Sequence, residues 1–214
     1  MDSLKGKFDS IIFDLDGTLW DSTETISKAW QTALNQVPYV AGEAMTPDRV
    51  RSITGMTYDM IFERLFPGLT TEQRAEVQQL CSVAELDILH KLGGELYPDL
   101  EDTLTYLGKQ YKLYIVSNCQ NGYIELFLNQ HNMHQYFLGY QCYGTKGKPK
   151  ADNIHDIVTD HQLKSPVYVG DTMGDYNAAT KAGVPFIFAA YGFGQVDNGQ
   201  VATINNFKEL KQLL

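Results

Sequence analysis

Short apolar runs that stop abruptly at a polar or acidic residue recur along this chain, and they constrain its fold more than any other feature. Phe8 to Phe13 runs into Asp14, Leu113 to Val116 into Ser117-Asn118, and Val167 to Val169 into Gly170-Asp171. Gly139 to Tyr143 and Phe186 to Ala189 read as two further strands. Helical spacing fills the intervals, at Leu100, Leu104 and Leu107, at Tyr123 to Leu128, at Ile154 to Val158 and at Tyr176 to Ala182. The tail, Phe207, Leu210 and Leu213, is a last helix. Strands alternating with helices predict an α/β fold built on a doubly wound parallel sheet. Ligands of such sheets bind beyond the carboxyl ends of the strands, where these polar residues fall.

Residues 22–93 have a different character, with no strand pattern at all. Ile26, Trp30, Ala33, Leu34 and Val37 follow helical spacing, and Asp21 with Glu24 predicts a capping box in front of them. Thr46-Pro47 predicts an N-cap followed by Pro at the first helical position. A helix from Tyr58 to Phe66 should stop at Pro67, and one from Thr71 to Leu92 should close at Gly93-Gly94. The chain therefore divides into a core of residues 1–18 and 95–214 and an all-helical insertion at 19–94, placed over the crevice.

Composition removes several functional classes. Lys and Arg number 17 against 26 Asp and Glu, a formal charge of −9, which disfavours a nucleic-acid-binding surface. No apolar run approaches the ~18–20 residues of a membrane helix. Met1 to Lys5 lacks a signal-peptide layout, so the expected compartment is the cytoplasm. The cysteines, Cys81, Cys119 and Cys142, are odd in number and contain no CxxC, so no disulfide framework or zinc knuckle is expected.

Four clusters carry chemistry. In Asp14-Leu15-Asp16-Gly17-Thr18-Leu19, two acids at i and i+2 past a strand end can enter one pocket. Like charges so close resist joint ionisation unless a cation intervenes. Gly170-Asp171-Thr172-Met173-Gly174-Asp175 and Ser117-Asn118 also follow strands, and Lys146, Lys148 and Lys150 surround Pro149. Each alone has an ordinary reading: an Asx turn, an N-cap, a capping Ser, a solvated loop. Together they bring four carboxylates, a hydroxyl and a lysine to the mouth of one sheet. Such acids call for a hard cation with oxygen ligands, Mg²⁺. A carboxylate nucleophile beside Mg²⁺, with a hydroxyl and a lysine for phosphate oxygens, describes phosphoryl transfer.

These residues resemble, in order, the four motifs of the haloacid dehalogenase superfamily, in the group of phosphatases with a helical cap inserted after the first motif. The resemblance implies a Rossmann-like core and a Mg²⁺-dependent phosphatase acting on a small phosphorylated metabolite, similar to phosphoglycolate phosphatases. It implies Asp14 as nucleophile and Asp16 as acid and base. Mg²⁺ would be held by Asp14, Asp171 and the Asp16 carbonyl, with Asp175 a direct or outer partner. Ser117 and Lys148 would bind the phosphoryl group. The third motif usually reads Lys-Pro-x-Pro and here reads Lys148-Pro149-Lys150-Ala151. Lys148 holds the expected place, and Lys150 is the alternative.

A phosphomutase of the β-phosphoglucomutase type shares this fold and chemistry; Thr18 weakly favours the hydrolase. A phosphate-accepting signalling module is a more distant rival, disfavoured by motif order and by the insertion. Between residues 19 and 95 lie 6 Lys and Arg against 11 Asp and Glu, which suits a small ester rather than a polyanion. Arg49, Arg51 and Arg64 are candidate partners for a substrate carboxylate, although each alone reads as solvated charge. Gly55 marks either a helix end or a close backbone approach to the ligand. Trp20, Trp30 and the five histidines read as packing or surface residues. Oligomeric state has no signal in the sequence.

Overall fold

The computed structural model of the chain describes residues 3–40 and 42–214. The first strand, β1 (Ser10–Phe13), is buried along its whole length and leads into the acidic loop. A short strand β2 (Trp20–Asp21) follows, then four helices: α1 (Thr23–Leu34), α2 (Pro47–Arg51), α3 (Tyr58–Leu65) and α4 (Thr71–Leu92). Strand β3 (Glu95–Leu96) returns antiparallel to β2, with Trp20 opposite Leu96 and Asp21 opposite Glu95. The helical insertion thus leaves and re-enters the core through one two-stranded ribbon.

The remainder alternates: α5 (Leu100–Leu107), β4 (Lys112–Ser117), α6 (Tyr123–Gln130), β5 (Gly139–Cys142), α7 (Tyr143–Lys146), α8 (Lys150–Asp160), β6 (Pro166–Gly170), α9 (Met173–Lys181), β7 (Phe186–Ala189) and β8 (Ala202–Ile204). A 3-10 turn at Phe207–Glu209 runs into α10 (Leu210–Leu213). Six strands form one sheet in the order β5-β4-β1-β6-β7-β8. Every pairing in it is parallel. β1 lies between β4 and β6, so the chain winds outward from it in both directions. That is the topological switch point, and three adjacent strand ends open onto it.

Alternation along β1 divides the core between two faces. Ile11 and Phe13 join a large cluster with Leu104, Ile124, Phe127 and Leu210, while Ile12 joins Tyr114, Tyr168, Ile154 and Ala179 on the other face. Ile26, Trp30 and Phe62 of the insertion belong to the large cluster, so the insertion packs onto the sheet layer as continuous hydrophobic core. Burial of such side chains contributes ~1.5–3 kcal/mol each.

The expected cap of α2 is present: the Thr46 hydroxyl accepts from the Arg49 N–H at 3.2 Å, with Pro47 first in the helix. α4 ends at Gly93, whose φ of +69° is the left-handed conformation that favours glycine. The expected Asp21/Glu24 capping box is not formed. Asp21 is committed to the ribbon, so α1 starts only at Thr23, and the Asp21 carboxylate accepts from the Thr23 N–H at 2.9 Å in an Asx turn. Glu24 instead faces solvent near Lys28. The ribbon, α7 and β8 were not expected from the sequence pattern; each has four residues or fewer per segment, too short for periodicity to register. No helix among the described residues is long and apolar enough to cross a membrane.

Candidate active site

Asp14 follows β1, Ser117 closes β4 and Asp171 follows β6, so three neighbouring strands deliver three polar groups to one edge. Asp175 arrives from the first turn of α9. A reciprocal capping box with Thr172 holds it there: the Thr172 hydroxyl accepts from the Asp175 N–H at 3.2 Å, and Asp175 Oδ2 accepts from the Thr172 N–H at 3.0 Å. Carboxylate oxygens of Asp14, Asp171 and Asp175 all lie within 4.8 Å of one another, and all three residues are buried.

Lys150, not Lys148, is the lysine of this cluster. Its Nζ lies 2.9 Å from Asp14 Oδ1 and 2.6 Å from Asp175 Oδ1. The Lys150 side chain is 4% exposed, whereas that of Lys148 is 46% exposed and pairs with Asp156 at 2.9 Å. The expectation for Lys148 is therefore corrected, and the cause is helical phase. Pro149 caps α8 and Lys150 is its first residue, four positions before Ile154 and seven before Ile157, both buried. Lys150 thus starts the buried stripe of the helix, while Lys148 precedes the helix altogether.

Electrostatics in the cluster are dominated by burial. Desolvation, then the charge of Asp175, push the Asp14 carboxyl up to about 7 against the pull of Lys150. Burial and the charges of Asp175 and Asp14 hold Asp171 well above the ordinary carboxylate range. Burial works against the Lys150 ammonium, but Asp14 and Asp175 outweigh it and raise its pKa above the usual range. Fully ionised, three carboxylates against one ammonium would carry an excess of negative charge in a dry site, and the raised Asp14 and Asp171 reflect that. The donors are all oxygen, which fits a hard divalent cation such as Mg²⁺.

Asp16 stands apart from that triad. Its Oδ1 accepts from Trp20 Nε1 at 2.9 Å, Ser22 Oγ at 2.7 Å and Tyr123 OH at 2.7 Å. Burial raises its pKa while those hydrogen bonds oppose the rise. Trp20, read from the sequence as packing alone, is therefore also a donor to the site. Tyr123 and Ser22 carried no sequence signal, since neither belongs to a motif.

Backbone geometry closes the site from behind. Gly17 has φ +81°, and a Cβ there would sit 2.2 Å from Asp171 Oδ2. Asp171 Oδ2 accepts from the Phe193 N–H at 2.8 Å, beside Gly192, whose Cβ would meet the Asp171 Cβ at 2.3 Å. Two glycines thus let main chain approach this carboxylate, one from each side.

In front lies a cavity of about 60 Å³ between the sheet edge and the insertion, bounded by Asp14, Asp16 and Ser117 below and by Trp30, Tyr58 and Glu85 above. The residue before Gly55's neighbour Met56 matters here: the Gly55 carbonyl accepts from Asn118 Nδ2 at 2.7 Å, which ties the insertion to the loop after β4. Gly55, with φ +86°, brings the insertion's main chain against Asn118 and Thr172 of the core, a contact between protein groups. Arg49, Arg51 and Arg64 do not line the cavity.

Residues 11–189 match the family of haloacid dehalogenase-like hydrolases. The chain belongs to this family. Among its relatives, the phosphoglycolate phosphatase of Vibrio vulnificus strain YJ016 is 30% identical over 196 residues, covering 86% of this chain and 84% of that protein. A phosphoglycolate phosphatase of Aquifex aeolicus is 26% identical, with 95% of each chain covered. A haloacid dehalogenase-like family hydrolase from Streptococcus pneumoniae superposes with a TM-score of 0.84 at 23% identity, over 95% of this chain and 97% of its own. That last likeness concerns the fold. Family membership makes the protein a phosphatase-type hydrolase with a helical insertion in an α/β core.

Proposed function

We propose that the protein is a Mg²⁺-dependent phosphatase that hydrolyses a small phosphomonoester through a phosphoryl group carried on Asp14. The observation behind this reading is the buried Asp14 carboxylate at the end of the central strand, in contact with Lys150 and grouped with Asp171 and Asp175. The division into a catalytic core (1–18 and 95–214) and a cap (19–94) completes the reading, with the β2–β3 ribbon as the place where the cap would pivot.

Asp14 and Asp171, with the Asp16 carbonyl, would hold the ion. Both Asp175 oxygens already have donors, Lys150 on one and Thr172 on the other, so its share would pass through a water. Bound there, Mg²⁺ would neutralise the carboxylates and the phosphoryl oxygens. A carboxylate oxygen of Asp14 attacks phosphorus, the Asp14–phosphorus bond forms and the bond to the alcohol oxygen breaks. Asp16, favoured in its protonated form by burial, gives its proton to the departing alkoxide. Lys150 and the Ser117 hydroxyl meet the phosphoryl oxygens and offset their charge. Water then attacks phosphorus, Asp16 takes the water's proton, and phosphate leaves Asp14 as a free carboxylate. The cap excludes bulk water during both steps.

The partner is a small phosphorylated metabolite, and the three free, buried cysteines suit a cytoplasmic setting. Phosphate release from a panel of small phosphomonoesters, with Mg²⁺ and then with chelator, tests the reading. Release should require the metal; undiminished turnover in metal-free buffer would refute it. Isomerised sugar phosphate without phosphate release would assign the mutase instead.

A further inference from the structure

Beyond the phosphoryl position the cavity extends into the cap, and its chemistry there is one-sided. Ile26, Val50, Ile53, Met56 and Ile61 form an apolar wall. The charged group set into that wall is Glu85, 2% exposed. Its Oε2 accepts from Trp30 Nε1 at 2.8 Å and Tyr58 OH at 2.6 Å, and its Oε1 from Gln120 Nε2 at 2.9 Å. These donors come from α1, α3 and the loop after β4, so the carboxylate is fixed in place.

No Lys, Arg or His side chain lines the cavity among the described residues. The cap's arginines near it are engaged elsewhere. Arg49 pairs with Glu43 at 2.9 Å, and Arg51 reaches Asp48 at 2.9 Å and Asp21 at 3.3 Å. Arg64 is exposed, with its guanidinium 3.9 Å from the Met56 sulfur. Lys150 is shared between Asp14 and Asp175 behind the phosphoryl position.

Building on the proposed phosphatase reading, we infer that the ester taken by this site carries no second negative charge: its leaving group is an uncharged or ammonium-bearing alcohol, not a carboxylate such as that of phosphoglycolate. A second anion would shed its hydration against an apolar wall and meet an acid there with no cation to offset either. A proton on Glu85 would weaken this discrimination without reversing it, because the wall would still offer no cation. An uncharged alcohol loses little on entering, and its hydroxyl can donate to a carboxylate.

The test pairs two esters matched in size, 2-hydroxyethyl phosphate and phosphoglycolate, with 2-aminoethyl phosphate and p-nitrophenyl phosphate alongside, on the full chain with Mg²⁺. kcat/KM for the hydroxyethyl ester should exceed that for phosphoglycolate ~10²-fold or more. Glu85→Gln removes one negative charge at nearly constant shape and should narrow that ratio about tenfold, a change in selectivity that mere loosening of the cap would not produce. Equal or better turnover of phosphoglycolate overturns the inference and leaves the phosphatase reading standing. Phosphoglycolate turnover abolished by Arg64→Ala would overturn it too, by showing that this arginine enters the pocket. Failure to release phosphate from any of the four esters would sink the phosphatase reading, and the inference with it.

Discussion

The Lys150 ammonium bridges Asp14 and Asp175, and in the proposed mechanism it would also stand beside the carboxylate that attacks phosphorus. Lys150→Ala should lower kcat/KM at least ~10²-fold, as removal of a charge-stabilising donor does. Lys148→Ala should leave it within about twofold, because an exposed pair with Asp156 contributes little. Steady-state phosphate release on both variants checks this, and comparable losses would mean that the surface lysine moves into the site. Gly17 makes a second prediction of the same scale. A methyl group there would meet Asp171 Oδ2 at 2.2 Å on a backbone with φ +81°, so Gly17→Ala should displace the carboxylate. Mg²⁺ affinity by calorimetry should fall ~10–100-fold, as when a partner that orients a metal ligand is lost; unchanged affinity would place the ion elsewhere.

The elements were legible in the sequence where periodicity or a stop signal ran long enough to read. Phe186–Ala189 and the helix from Thr71 to Leu92 match the structure residue for residue. The short ribbon did not, because two-residue strands carry no pattern, and its absence from the reading also misplaced the cap of α1. The acids of the site were legible because Asp14 and Asp171 directly follow strand ends, and Asp16 and Asp175 lie two and four residues after these acids. The lysine was not, because motif spacing and helical phase disagreed by two residues, and phase decides which side chain is buried. Glu85 was missed although a signal existed: Val77, Cys81, Glu85 and Leu89 repeat every four residues along α4, and the one acid in that buried stripe points at the cavity. Helix α9 supplies a test on this scale. Thr172→Ala breaks the capping box that sets Asp175 and should cost about 1 kcal/mol. The melting temperature should drop ~2–4 °C. Activity should drop further than stability explains, since Asp175 also steadies Lys150; a loss of stability alone would separate the cap from the chemistry.

Over the whole molecule, the buried acids set a pH dependence of stability. Asp14 and Glu85 are pushed up to about 7, and Asp171 is raised as well, in each case chiefly by burial. The unfolded chain releases these protons near the ordinary carboxylate values of about 4. Between there and 7 the folded state binds more protons than the unfolded one, so stability falls as pH rises through that window. Asp16, also raised by burial, adds to this, while His131, lowered by burial, and Cys142, lowered to about 6 chiefly by its hydrogen bond with Cys119, act in the opposite sense. Metal-free protein should therefore melt at a lower temperature at pH 7 than at pH 5. Mg²⁺ should restore more at pH 7, where it competes with fewer protons for Asp14 and Asp171 than at pH 5. Thermal melts at both pH values, with and without the ion, measure this; a metal-free melt that rises with pH would contradict it.

The central claim is that Asp14 takes the phosphoryl group and Asp16 moves the proton, and one measurement addresses it directly. Asp16→Asn keeps the nucleophile but removes the base that activates water, worth ~10²–10⁴-fold. With p-nitrophenyl phosphate and Mg²⁺, which needs little leaving-group protonation, this variant should release about one equivalent of nitrophenol in a burst and then nearly stop. Rapid quench and mass spectrometry of the peptide holding Asp14 should find phosphate on that residue, and Asp14→Asn should give neither burst nor adduct. A burst from Asp14→Asn, or phosphate on any other side chain, would contradict the account.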